Sequence, residues 1–283
     1  MIMHRSLPII ATLLATASFG PLTAGGAQAE TASEWSAPSG TAVRLLGGPT
    51  ENGARTAGVE IRLTPGWKTY WRYPGDSGVP PHFDWSGSEN LGAVTIRWPA
   101  PVRFDEGGSF SVGYKKDVVI PIEVTPVDAS KPVTLQLALD FAVCEKICQP
   151  ANAAVTLDLP AGDGTASPTL ADALAHVPVP TAIRSSGTPA VRKVALEDVN
   201  GEPSIRVETA VGDADHADLF VEGPDESWAL PLPTRENGAD GTTVFVLPVD
   251  GVPKGADIAR TPLRFTLIDG RRAIEVEAPL SAR

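Results

Sequence analysis

The chain has 283 residues and a net charge of −11, with only two cysteines and two methionines. A disulfide-dense miniature fold is excluded by that cysteine count, and the acidic balance argues against nucleic acid or anionic lipid as a partner surface. The length suits two domains of roughly 100 to 130 residues each.

The chain opens with His4 and Arg5, an apolar stretch from Leu7 to Phe19, and small residues ending in Ala27-Gln28-Ala29. This pattern predicts a cleavable secretory signal over residues 1–29, with the mature protein starting near Glu30 in the periplasm of a Gram-negative envelope. Pro8 and Pro21 interrupt the apolar stretch, and no later segment approaches the roughly 20 apolar residues of a membrane helix, so no direct membrane span is expected. In an oxidising compartment two cysteines have one intramolecular pairing open to them.

Strand-like runs bounded by Gly, Pro and Asn follow: Ala42–Leu46, Ala57–Thr64, Lys68–Tyr73, Val94–Trp98, Val118–Val124, Val133–Ala142 and Ala153–Leu159. Their spacing predicts an antiparallel β-sandwich over residues 30–160. Val133, Leu135, Leu137, Leu139 and Phe141 fall on one face by strict alternation, as do Ala153, Val155, Leu157 and Leu159. Cys144 and Cys148 therefore sit in the connection of a hairpin-like pair. Trp67, Trp71, Trp85 and Trp98 read most simply as core of this half, with an exposed partner-binding patch as the alternative.

Residues 161–189 turn rich in Gly, Ser, Thr and Pro around one helix-compatible stretch, Pro168–His176, which predicts a linker with a short helix ended by Pro178 and Pro180. Residues 190–283 return to strand-like runs: Val191–Leu196, Ser204–Val211, Ala217–Glu222, Trp228–Leu232, Thr242–Pro248, Leu263–Ile268 and Ala273–Ala278. A second β-sandwich is the simplest account, closed by a hairpin around Asp269-Gly270. The fold class is all-β.

Three roles stand open for Cys144 and Cys148. As a structural staple the pair closes a loop of about five residues and gains only about 2 kcal/mol from chain entropy. A helix would place such side chains about 5 to 6 Å apart at Cβ, beyond the roughly 3.8 Å a disulfide prefers, so the pair belongs in a turn. As a Cu(I) or zinc site it lacks soft company, since the mature chain offers only His82, His176 and His216 and no methionine. The third role is reversible thiol-disulfide exchange, in which one exposed thiolate attacks and the other cysteine resolves the mixed disulfide. Lys146 favours a thiolate and Glu145 opposes it, so the nucleophile is not determined by these neighbours.

Gly66-Trp67-Lys68-Thr69-Tyr70-Trp71, Asp76-Ser77-Gly78-Val79-Pro80-Pro81, Trp98-Pro99, Tyr114 and Val119-Ile-Pro-Ile122, followed by the cysteine turn, resemble the N-terminal periplasmic domain of the DsbD thiol-disulfide reductases and their ScsB relatives. The resemblance spans about Ser36 to Pro160. It implies an immunoglobulin-like fold, no cofactor and no metal, with Cys144 and Cys148 as the catalytic redox pair. It also implies a membrane-embedded thiol carrier as electron donor and periplasmic thioredoxin-like proteins as clients. Asp105 and Glu106 correspond to an acidic pair near the family's cysteines, with a solvated turn as the alternative role. Where DsbD has capping aromatics this chain reads Gly107-Gly108-Ser109-Phe110, which leaves Phe110 as a substitute shield, and Tyr114 is carried over as a neighbour of the site. Full-length relatives continue into a membrane domain and a thioredoxin-like domain, so this chain is expected to exchange electrons through separate proteins. The competing class is a non-catalytic periplasmic scaffold in which the disulfide only pins a hairpin.

Overall fold

A computed structural model describes residue 1 and residues 31–38, 40–162, 164–238 and 242–282; apart from Met1, the leader expected over residues 1–29 lies outside the described residues. The first half contains β1 (Thr41–Glu51), β2 (Ala54–Leu63), β3 (Lys68–Gly75), β4 (His82–Asp84), β5 (Leu91–Ile96), β6 (Val102–Asp105), β7 (Phe110–Tyr114), β8 (Val118–Pro126), β9 (Val133–Cys144) and β10 (Cys148–Leu159). One sheet has the order β1-β2-β8-β5 and the other β10-β9-β3-β7-β6, with β4 also pairing β9. The two pack face to face in the immunoglobulin-like manner. Val43, Leu45, Val59, Ile61, Ile120 and Ile122 of one sheet meet Trp71, Val112, Leu135, Leu139, Phe141 and Val143 of the other. Each such side chain contributes about 1.5 to 3 kcal/mol by leaving water.

Most expected strands form, and the main differences are these. β10 begins at Cys148 rather than Ala153, because its first residues pair with the last of β9. β4, β6 and β7 were not expected as strands: they are three to five residues long, too short to show an alternation, with β4 pairing the distant β9 and β6 and β7 forming a short hairpin with each other. Trp228–Leu232 is not a strand, although Trp228 and Leu230 are buried. Pro231 and Pro233 remove the amide donors a ladder needs, so the segment lies in the core as an irregular loop.

The helix forms at α1 (Pro168–Ala175), with the Ser167 hydroxyl accepting from the Leu170 amide and Pro168 in the first turn. It is docked on the first sandwich, Leu170 and Ala173 packing with Leu46 and Val119. Beyond it come β11 (Val179–Pro180), β12 (Ala190–Val199), β13 (Glu202–Ala210), a 3-10 turn (Ala214–His216), β14 (Ala217–Glu222), β15 (Thr234–Asn237), β16 (Thr243–Pro248), β17 (Leu263–Asp269), β18 (Arg272–Ala278) and β19 (Ser281–Ala282). They make a second sandwich with sheet orders β11-β18-β17-β14 and β15-β16-β13-β12-β19. Its core centres on Ile205, Val207, Leu219, Phe245, Phe265 and Leu267. The β17–β18 hairpin turns on Gly270 at φ 62°, a conformation that glycine adopts without a Cβ penalty. Among the described residues no helix is long and apolar enough to cross a membrane.

Candidate functional site

The alternation that drives Phe141 and Val143 into the core turns Ala142 and Cys144 to the opposite face of the sheet. There they join Tyr70 and Phe104 in a small cluster of their own. β9 and β10 stay in register to their ends, so Cys144 lies opposite Cys148 with Cα atoms 4.2 Å apart and the two are joined by a disulfide. Glu145, Lys146 and Ile147 form the connecting turn. The two sulfurs are unequal: Cys144 is 1% exposed, while Cys148 lies on the surface. Ile147, 76% exposed, stands beside it as an apolar tip.

β3 runs alongside β9, pairing Lys68 with Cys144 and Thr69 with Val143, and the Thr69 hydroxyl donates to the Ala142 carbonyl at 2.9 Å. Tyr70, two residues after Lys68, projects on the cysteine face. Its phenol oxygen is 2.9 Å from Cys144 Sγ and 3.1 Å from Cys148 Sγ. Room for this approach comes from two glycines. A Cβ on Gly113, opposite Tyr70 on β7, would stand 2.0 Å from the Thr69 carbonyl oxygen, and one on Gly78 would stand 2.6 Å from the Tyr70 ring. Burial, with the negative charge of Glu106 adding to it, raises the Tyr70 pKa, so the phenol keeps its proton and serves as a donor to sulfur. Glu106 is held by Lys68, Nζ to Oε1 2.6 Å, both side chains being largely buried. Lys68 Nζ also lies 5.0 Å from the centre of the Phe104 ring.

The acidic pair therefore divides. Glu106 faces the cluster through Lys68, whereas the Asp105 carboxylate closes its own turn, accepting from the Gly107 and Gly108 amides at 2.8 and 2.9 Å. Those two bonds hold its pKa below the usual value. Phe110 is 41% exposed and its ring lies against the Arg103 guanidinium, 5.9 Å away; the rings that pack with Cys144 are Tyr70 and Phe104. Tyr114 lies in the main core and donates to the Pro99 carbonyl at 2.9 Å. Trp71 and Trp98 are buried core residues, with Trp67 and Trp85 packed partly against them. Among the described residues no three His, Cys, Asp or Glu side chains converge as a metal would require. A cleft of about 610 Å³ opens between the β7–β8 turn and α1, and neither cysteine lines it.

Residues 26–160 match the family described as Thiol:disulfide interchange protein DsbD, N-terminal. Over this segment the chain is similar to DsbD N-terminal domains. Residues 176–283 match a family described as a domain of unknown function (DUF8393). The crystal structure of the N-terminal periplasmic domain of ScsB from Proteus mirabilis is similar to the chain at 25% identity and a TM-score of 0.67, covering 89% of this chain and 99% of that one. That likeness extends through both sandwiches. Comparison with curated proteins returns no match.

Within the matched segment, the residues around the sulfurs that sequence reasoning passed over are Tyr70, Lys68, Phe104 and Ala142. Tyr70 and Lys68 stood inside the Gly66–Trp71 motif without a role. A usable signal existed: the alternation of β9 puts Cys144 out of phase with the core set, so a neighbouring strand had to cover it from the other face. Chemically, the site presents one accessible sulfur, one buried sulfur and a hydrogen-bond donor in reach of both, an arrangement suited to moving a negative charge between sulfurs.

Proposed function

We propose that the chain is a periplasmic thiol-disulfide exchange module that takes reducing equivalents from a membrane thiol carrier and passes them to thioredoxin-like clients through Cys144 and Cys148. The observation that carries this is the asymmetry of the disulfide: exposed Cys148 and buried Cys144 under the Tyr70 hydroxyl. A donor thiolate attacks Cys148 Sγ, forming a mixed disulfide and breaking the Cys144–Cys148 bond. The electron pair goes to Cys144 Sγ, where the Tyr70 O–H stabilises it. The donor's second thiolate then attacks its own sulfur in the mixed disulfide and frees Cys148, and the chain is left with the dithiol. Oxidation by a client runs the same steps in reverse, Cys148 attacking and Cys144 resolving.

Two further features support the reading over a structural staple. Twelve register pairs already hold β9 to β10, so a bridge at the turn end closes only a short loop and adds little. The disulfide also stands on an exposed turn outside the large cleft, which favours a protein partner over a small substrate. Trapping tests the proposal: Cys144→Ser, which leaves Cys148 free, is expected to hold a thioredoxin-like periplasmic protein as a mixed disulfide, and Cys148→Ser to hold none. Absence of any adduct with the partners expressed overturns it.

A further inference from the structure

β14 is buried on both faces. Ala217, Leu219 and Val221 enter the core of the second sandwich, while Asp218, Phe220 and Glu222 point the other way, into the first. Phe220 is fully buried in the first core, its ring 5.6 Å from that of Trp71. Glu222 accepts two hydrogen bonds from Arg72, at 2.9 and 2.7 Å, and Glu275 of β18 accepts a third at 2.6 Å. Asp218 accepts two from Arg103, at 3.1 and 2.7 Å. Arg103 also donates to the Pro233 carbonyl, and the Tyr73 hydroxyl donates to the Leu230 carbonyl.

The gripped arginines have a particular place in the chain. Arg72 follows Tyr70 by two residues on β3, and Arg103 directly precedes Phe104 on β6. Tyr70 and Phe104 are the two rings packed on Cys144. Forked guanidinium-carboxylate pairs are the side-chain contacts that restrict orientation most. Burial opposes the Arg72 charge, but the two carboxylates more than offset this and hold its pKa above the ordinary value. β3 pairs β7 only at Thr69, Tyr70 and Gly75. The stretch carrying Arg72 and Tyr73 is thus held by the second sandwich in place of a continuous ladder.

We infer that the second sandwich is a positioning element for the redox site: Asp218, Phe220 and Glu222 clamp β3 and β6 and so set Tyr70 and Phe104 around the disulfide. This rests on the exchange reading above and assigns it a determinant 70 or more residues from the cysteines in sequence. Glu222, by way of Arg72 and Tyr70, and Asp218, by way of Arg103 and Phe104, are positioning residues that touch neither sulfur.

The test uses the full chain with Glu222→Ala, Asp218→Ala and Tyr70→Phe, each confirmed as folded by circular dichroism and thermal unfolding. The rate of reduction by dithiothreitol and the equilibrium constant against glutathione are then measured. Glu222→Ala is expected to slow reduction about tenfold and shift the equilibrium by about tenfold, about 30 mV, with Glu222→Gln, which keeps an acceptor for Arg72, recovering most of both. In the Tyr70→Phe background, Glu222→Ala is expected to have almost no further effect. Folded variants that reduce like the parent, or effects of Glu222→Ala and Tyr70→Phe that simply multiply, overturn the clamp. Should Glu222→Ala not fold, Asp218→Ala decides by the same two measurements. A parent disulfide that resists both reductants defeats the exchange reading itself, a result distinct from a reducible parent with indifferent variants.

Discussion

Tyr70 on β3 holds its phenol oxygen 2.9 Å from the sulfur of Cys144 on β9, across a sequence separation of 74 residues. The contact lies on the face of the sheet away from the main core, with Gly113 and Gly78 leaving the space for the ring. It gives the buried sulfur a donor at the moment it must carry charge.

Replacing Tyr70 by Phe keeps the ring and removes that donor. A hydrogen bond to a charged group contributes about 1.5 to 3 kcal/mol, so reduction of the disulfide by dithiothreitol is expected to slow by at least about tenfold, since about 1.4 kcal/mol corresponds to a factor of ten. Stopped-flow kinetics checks it; an unchanged rate removes Tyr70 from the chemistry.

The burial difference between the cysteines predicts an order of labelling. In the reduced, folded protein, iodoacetamide should modify Cys148 at least about tenfold faster than Cys144, because access and thiolate character govern the rate. Peptide mapping after a short exposure shows the ratio, and equal labelling contradicts the assignment of Cys148 as the exchanging sulfur.

Gly113→Ala is expected to destabilise the protein by about 1 to 3 kcal/mol or more, since the new methyl meets backbone rather than a side chain that can turn aside. The Cβ would stand 2.0 Å from the Thr69 carbonyl oxygen. Because β3 must shift to make room, slower disulfide reduction should accompany the lowered melting temperature. Stability close to the parent's means the strand pair is looser than described.

All three tyrosines have their pKa raised above 10.0 chiefly by burial, Tyr70, Tyr73 and Tyr114 alike. The unfolded chain ionises them near the ordinary value, so the native state gains relative stability from neutral phenols below pH 10 and loses it as pH climbs toward the raised values. Phenolate absorbance should therefore appear only well above pH 10 and together with loss of tertiary structure. A phenol titrating normally in the folded protein refutes the burial of that residue.

Leu170 plugs α1 onto Leu46 and Val119. Leu170→Ala should cost about 2 to 5 kcal/mol and make the 161–178 segment more open to proteolysis while the disulfide remains reducible. Limited digestion and thermal unfolding together test this, and no change in either means the helix is not held by that contact.

The alternation in Val133–Phe141, the Ser167-Pro168 helix start and the turn residues between runs made the all-β class, α1 and the cysteine hairpin readable from residue order, because each depends on neighbours a few positions apart. Trp228–Leu232 misled for the same reason: its alternation is local, while the prolines that prevent pairing act through missing donors. The strands β4, β6 and β7 escaped notice because they are too short to show an alternation, and β4 and β7 are also held by the distant strands β9 and β3. Sequence by itself determined that two cysteines four positions apart lie in the connection of a β-hairpin in the first half of an acidic chain; only the tertiary structure decided that one sulfur is buried under Tyr70 and that β14 grips β3 and β6. Sheet order sets which strands become neighbours across 74 or 150 residues, and no local periodicity encodes that order.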